Sequence, residues 1–283
     1  NYYIGSVELS EHLRSRDGTE KFLFKLLDGN FIETVLIYAK NRKTVCLSTQ
    51  VGCKFACDFC ASGKIRFERN LTPSEITNQI LFLYHNVKQR TTNYVFMGIG
   101  EPLDNYENVR KAIIIMNEPE GMAIGARRIT ISTCGIVPGI EKLKDLGLQI
   151  NLSISLHATD NKLRDTLMPI NKRYPLEKVI EASERFINAT GRMITIEYIL
   201  IKGTNDSLKQ ANELAKIARR LRAKVNLVPC SKIPDLNFQP PPWRNIDIFM
   251  NRLIDRGVKV TLRESKGEDI QAACGQLAGR PKE

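Results

Sequence analysis

Between Thr44 and Pro229 the chain alternates six times between a short apolar run of strand character and a longer amphipathic run. That rhythm limits the possible folds more than any other feature. Strands read at Thr44–Thr49, Asn93–Ile99, Arg128–Thr133, Gln149–Leu156, Arg192–Ile201 and Lys224–Pro229. Helices read at Asn105–Met116, Pro138–Leu146, Asn161–Met168, Leu176–Ala189 and Ser207–Arg220. Another runs from Thr72 to about Gln89, with Thr72 as N-cap and Pro73 at the first helical position. A proline-rich loop from Pro234 to Pro242 then leads to a helix near Trp243–Arg256 and a last strand at Val258–Arg263. Strand–helix–strand repeats imply parallel strands joined by right-handed crossovers. Six units fall short of the eight of a closed barrel, so the expected fold is α/β, a partial TIM-like (β/α)6 barrel open on one side. Upstream, FLFKLL and FIETVLIYA flank Asp28-Gly29, a turn signal that predicts a β-hairpin over residues 22–38. The expected division is an N-terminal hairpin extension over 1–43 and a core over 44–283.

Three of the seven cysteines fall together, Cys53, Cys57 and Cys60, in VGCKFACDFCASG. The spacing C-x3-C-x2-C supplies three thiolates from one loop. A cubane [4Fe–4S] cluster takes four ligands, so three cysteines leave one iron open to a small molecule. A structural zinc site closes with four, commonly from two separated C-x2-C pairs, and would here have to recruit Cys134 or Cys274. An odd cysteine count with a tight triplet is unlike an extracellular disulfide framework and points to a reducing cytoplasm. No apolar run approaches the roughly 18 to 20 residues of a membrane helix, and no secretory pattern is present, so no membrane role is expected. The net charge is +11, with basic residues such as Lys40, Arg42, Lys43, Arg127 and Arg128 spread along the chain. Such a surface favours polyanions, although charge alone does not name RNA.

Barrel chemistry gathers at the carboxyl ends of the strands. The cysteine loop follows the first core strand, and Gly98-Ile99-Gly100-Glu101-Pro102 ends the second. Ser132 ends the third, and Ser155-Leu156-His157 the fourth. Glycines let backbone approach a ligand, and a carboxylate accepts hydrogen bonds from an ammonium group. Taken singly, these residues read equally as ordinary strand-end punctuation and hydrogen bonding. Glu33 lies on FIETVLI, where the period of two places it on one face with Phe31, Val35 and Ile37. Desolvation there would suit it to act as a base; an ion pair at a sheet edge is the alternative. Cys134 and Cys230 read as buried small apolar residues.

Phe59, just before Cys60, completes the C-x3-C-x-Φ-C form of the radical S-adenosylmethionine (SAM) enzymes, which this segment resembles. The runs CLSTQVGC, FERNLT, GIGEP, RITISTCGIVP, ISLHA, MPINKRYP, IEYILIKGTND and AACGQLAG resemble the RlmN/Cfr family of radical SAM RNA adenine methyltransferases, from Ser15 to Gly279. The resemblance implies a radical SAM barrel with its [4Fe–4S] cluster on Cys53, Cys57 and Cys60. It implies two SAM molecules per turnover, with Gly100, Glu101, Ser132, Ser155, Leu156 and His157 in the SAM site. Many relatives have an asparagine at the position of Ser231, which is shorter and offers one hydroxyl.

The resemblance also makes Cys274, in AACGQ, the methyl carrier, which forms a covalent RNA adduct. Cys46, in CLSTQ, becomes the resolving thiol that forms a disulfide, and Glu33, in the ETV run, the acceptor of the C2 proton. The implied substrate is an adenine of 23S ribosomal RNA, with transfer RNA as a further one. The implied electron donor is a flavodoxin or ferredoxin, and the expected form a cytoplasmic monomer. Val51-Gly52-Cys53 and Gly100-Glu101-Pro102 resemble the C2 group; the Cfr type, which methylates C8, reads QCGC and GEAL there. A zinc-stabilised, non-catalytic RNA-binding protein is the alternative of another class. Relatives carry a small helical N-terminal domain, and only about twenty residues precede the hairpin here. That domain is expected to be absent or truncated.

Overall fold

The computed structural model describes residues 5–87, 91–233 and 236–279, in two compact units. The first comprises Asn1–Lys54, Ala61–Ile131 and Lys266–Glu283. It opens with strands β1 (Val7–Arg14), β2 (Glu20–Leu26), β3 (Phe31–Ala39) and β4 (Arg42–Cys46), each antiparallel to the next. The predicted hairpin is β2–β3, turned at Asp28-Gly29: Gly29 has φ 86°, and the Asn30 N–H donates to the Asp28 side chain. β1 is an additional strand, mostly exposed on its outer positions. A two-residue ladder follows, β5 (Gln50–Val51) with β6 (Arg69–Asn70). Helix α1 (Pro73–Asn86) begins at the predicted cap: the Thr72 side chain accepts from the Glu75 N–H, and Glu75 accepts from the Thr72 N–H. Its predicted end near Gln89 lies outside the described residues. Strand β7 (Asn93–Phe96), helix α2 (Tyr106–Asn117) and strand β8 (Ile129–Thr133) complete the run; β4, β7 and β8 are parallel neighbours.

The β2–β3 hairpin is covered on both faces. Phe22, Phe24 and Ile32 pack toward α1, where Phe24 meets Phe82 edge-on at 4.9 Å. The opposite face carries Lys21, Leu23, Glu33 and Val35, and the C-terminal segment returns across it. Burial on both sides explains why FLFKLL reads as a continuous apolar run rather than a clean alternation.

The second unit comprises Phe55–Cys60 and Ser132–Ser265. It takes in the end of β8 and alternates α3 (Val137–Leu143), β9 (Asn151–Ser155), α4 (Asn161–Leu167), α5 (Leu176–Thr190), β10 (Thr195–Leu200) and α6 (Leu208–Arg220). β11 (Lys224–Pro229), α7 (Trp243–Asp255) and β12 (Val260–Leu262) follow. Its strands lie in the order β9-β10-β11-β12, all parallel. The six predicted core strands are thus β4, β7, β8, β9, β10 and β11, each separated from the next by helix as parallel pairing requires.

Candidate active site

In the first unit the register builds one functional face. Lys21 lies opposite Val35, and Leu23 opposite Glu33, so Lys21 and Glu33 form a diagonal pair. Their charged groups stand 2.8 Å apart, and Glu33 is only 1% exposed. Glu33 therefore lies inside the sheet rather than at its edge, and its burial is shared with a lysine. The second carboxylate oxygen accepts the backbone N–H groups of Ala278 and Gly279, at 2.7 and 2.8 Å. Val35 is in turn opposite Cys46, the last residue of β4, whose other neighbour is Val95 on β7. Cys46 packs in a buried cluster with Val35, Ile99, Ile270, Ala272 and Leu277. Ala272 and Leu277 flank Cys274, so the structure brings Cys46 and the AACGQL run into one cluster.

Cys274 stands on a turn. The Gln276 N–H donates to the Ala273 carbonyl at 3.0 Å, and the Gln276 side-chain oxygen accepts from the Ala273 N–H at 3.0 Å. Gly275, third of the four residues, has φ 82°, as that position of a type II turn requires. Cys274 is left at the corner, half-buried, while Ala273 and Gln276 are buried.

The GIGEP glycines serve the backbone. A Cβ on Gly98 would fall 2.7 Å from the Leu47 carbonyl and the Ser48 nitrogen, and one on Gly100 2.5 Å from Gln50 Cβ. The Gly98 N–H donates to the Leu47 carbonyl, the Ile99 N–H to the Ser48 hydroxyl and the Glu101 N–H to the Gln50 side chain. The CLSTQ and GIGEP runs are therefore zipped together. Glu101 is buried, and one carboxylate oxygen accepts the Leu103 N–H at 2.9 Å.

The β5–β6 ladder clips the base of the cysteine loop. Gly52 combines φ 71° with a position where a Cβ would fall 2.0 Å from the Arg66 carbonyl oxygen, so no other residue fits before Cys53. The Cys53 N–H donates to Ile65. Further along the loop, the Cys60 N–H donates to the Cys57 carbonyl and the Asp58 N–H to Leu167. All three cysteines are half-buried, and none of the seven is in a disulfide. Among the described residues, no three His, Cys, Asp or Glu side chains are gathered as ligands of a single metal ion.

In the second unit the strand-end residues assemble around a buried arginine. Arg164 is fully buried; it donates to the Leu156 carbonyl, the Asn171 side chain and the Cys134 carbonyl at 2.7 Å. Burial pulls its guanidinium below the ordinary value, against the attraction of Cys134, Cys57 and Asp165. Nothing in the sequence marks Arg164; a basic residue in a short helix reads as surface. Ser132 and Ser155 lie hydroxyl to hydroxyl at 3.4 Å. His157, with φ 59°, accepts the Ile199 N–H on Nδ1 and stands edge-on to Phe59, ring centres 4.9 Å apart. Burial, helped by Arg164, pushes its pKa down to about 3, so the ring is neutral and Nε2 carries the proton. Leu156 is buried, and its N–H donates to Glu197. Ser231 is also buried, its hydroxyl 3.2 Å from that of Ser265. Cys134 and Cys230 are buried as read.

Residues 47–215 match the model of the radical SAM superfamily. A probable dual-specificity RNA methyltransferase RlmN of Heliobacterium modesticaldum is 45% identical over 281 residues, covering 96% of this chain and 73% of that protein. The protein of the same description from Clostridium novyi is 44% identical, covering 98% and 81%. The chain belongs to the RlmN family of radical SAM enzymes. A radical SAM methyltransferase structure from Sphaerobacter thermophilus superposes with a TM-score of 0.95 at 43% identity, over 97% of this chain and 82% of that one. A hydrogenase maturase, HydG, shares the fold alone, with a TM-score of 0.59 at 15% identity. The predicted radical SAM barrel is thereby established, and with it a radical SAM methyltransferase whose family implies a [4Fe–4S] cluster and SAM. No helix among the described residues is long and apolar enough to cross a membrane.

Proposed function

We propose that this RlmN-family chain methylates C2 of an adenine in 23S ribosomal RNA, with transfer RNA as a further substrate. Its relatives bear the description dual-specificity RNA methyltransferase, and the net charge of +11 suits a polyanionic substrate. The observation that carries the reading is the buried cluster that Cys46 shares with Ala272 and Leu277, which lie on either side of Cys274 in sequence. An aromatic C–H offers no nucleophilic lone pair, so polar methylation is closed, and a radical route would need one thiol to carry the methyl and a second to release it.

Cys53, Cys57 and Cys60 would hold the cluster. The SAM site would take Gly100 and Glu101 from one strand end, Ser132, Ser155, Leu156 and His157 from others, and Ser231. When bound, these cofactors supply a 5′-deoxyadenosyl radical and, from a second SAM, an electrophilic methyl group. Cys274 would take that methyl on sulfur. Loss of one of that methyl's hydrogens to the 5′-deoxyadenosyl radical would leave a carbon radical that bonds to C2; one electron would be handed back and the C2 proton would pass to Glu33, leaving protein and RNA joined. Thiolate attack by Cys46 on the Cys274 sulfur would then break its bond to that carbon, forming a disulfide, and a proton would complete the methyl of the released base. A low-potential donor of the flavodoxin or ferredoxin class, a monomeric state and a cytoplasmic setting complete the proposal.

The test is anaerobic turnover with dithionite, SAM and ribosomal RNA, followed by nucleoside mass spectrometry. 2-Methyladenosine is expected. 8-Methyladenosine would reassign the chain to the Cfr type, and protein holding zinc without iron or sulfide would end the radical reading.

A further inference from the structure

We propose that the buried Lys21–Glu33 pair is a positioning device for Cys274, anchoring the Gly275–Gly279 strap to the sheet face that carries Cys46. From the proposed function it takes only that Cys274 is the reacting thiol. The strap belongs to no strand or helix, so its backbone groups must find other partners. Two adjacent amides, Ala278 and Gly279, converge on one oxygen of Glu33 at 2.7 and 2.8 Å. The other oxygen faces Lys21, whose ammonium also reaches the Gln271 carbonyl at 3.4 Å. The ion pair thus touches the chain on both sides of Cys274.

Two residues after the cysteine loop hold the carbonyls between: the Ala61 N–H donates to Gly275, and the Ser62 hydroxyl to Leu277, both at 2.7 Å. Gly279 has φ 57°, and a Cβ there would crowd Ile99 and the Phe31 carbonyl, so the strap's end lies directly on β3. Stability alone does not call for a charge here, because apolar residues commonly replace a buried ion pair without loss. What an apolar pair could not do is receive two amides. Placement matters for a thiol that must meet a methyl donor, a base and then Cys46, since misplacement by about 1 Å can cost 100-fold in rate.

The experiment uses iron-replete full chain and compares wild type with Glu33→Gln and Lys21→Met. Hydrogen exchange is read on the peptide spanning 271–279, and alkylation by iodoacetamide at Cys274, with Cys46 and Cys134 as internal controls. In Glu33→Gln, exchange of the strap amides and alkylation of Cys274 should rise about tenfold, the equivalent of one charged hydrogen bond. Cys46, Cys134 and iron content should stay as in wild type. Lys21→Met should shift both in the same direction by less. Unchanged exchange and alkylation in a folded, iron-replete Glu33→Gln would overturn the proposal, even if turnover fell, since Glu33 would then act on the chemistry alone. If Glu33→Gln does not fold, Lys21→Met and Ser62→Ala decide, and an unmoved strap in both overturns it. Wild type that methylates no RNA, alongside a strap that responds as stated, would sink the functional reading and leave this one standing.

Discussion

Cys46 closes a strand that is paired on both sides, to Val35 and to Val95, and it is only 8% exposed. Cys274, two residues after Ala272 and three before Leu277 of that cluster, stands half-buried at the corner of a four-residue turn with a left-handed glycine behind it. The difference would suit the division of labour proposed for the two thiols. A sulfur that is methylated first must be reachable by a sulfonium and then by a flat base. A sulfur that acts last needs to reach only the first sulfur, and a rigid site keeps it from reacting early.

The strongest way to break this comparison is to remove the thiols one at a time. Cys274→Ala should abolish both methylated product and any covalent RNA adduct, read by mass spectrometry and by protein–RNA gel shift. Cys46→Ala should instead accumulate the adduct, because the bond to RNA forms and is not resolved. Iron content should be unaffected in either. Normal turnover by Cys46→Ala would mean that the buried thiol is only packing.

The two settings also differ in how well the sequence announced them. The order of strands and helices, the cysteine loop and the hairpin turn were legible, because periodicity and turn chemistry are local. Cys46 and Cys274 stood out through the runs around them, not through any local physics. Strand β1 was missed because VELSEHLR exposes most of its side chains and carries charge on both faces, leaving little alternation to read. Lys21 was missed for a different reason. It shares a face with Lys25, and only Lys21 is covered by the returning C-terminal segment, a contact some 250 residues away in sequence. The hairpin register would have found it: fixing the turn at Asp28-Gly29 places Lys21 diagonal to Glu33, and a buried carboxylate needs such a partner. The GIGEP glycines were read as room for a ligand; their missing Cβ atoms also make room for Leu47, Ser48 and Gln50. Only the contact shows which neighbour a glycine is for.

A second test contrasts the glycines behind each thiol. Gly98→Ala would drive a Cβ into the backbone directly after Cys46, at 2.7 Å from three atoms that cannot swing aside. A loss of about 3 kcal/mol is expected, the upper end for overpacking, seen as a melting point lower by roughly 6 to 12 °C. Gly275→Ala imposes left-handed strain at the Cys274 turn, where φ is 82°, costing about 1 kcal/mol. Its melting point should fall by roughly 2 to 4 °C, while the alkylation rate of Cys274 changes and that of Cys46 does not. Equal melting losses would mean that the turn is as tightly built as the strand end, and the contrast between the thiols would fail.

The smallest effect sharpens the contrast most. Ser62→Ala removes a single buried hydroxyl from the Leu277 carbonyl and leaves that oxygen without its donor, a loss of about 1 kcal/mol. Because Leu277 belongs to the buried cluster of Cys46 and also lies three residues from Cys274, the variant asks which thiol that contact serves. If the sheet holds Cys46 by itself, hydrogen exchange should quicken at residues 275–279 and stay unchanged across β4, with β3 and β7 as its paired neighbours. Faster exchange in β4 would show that the strap also supports Cys46, making the two settings one cooperative unit rather than a fixed site and a mounted one.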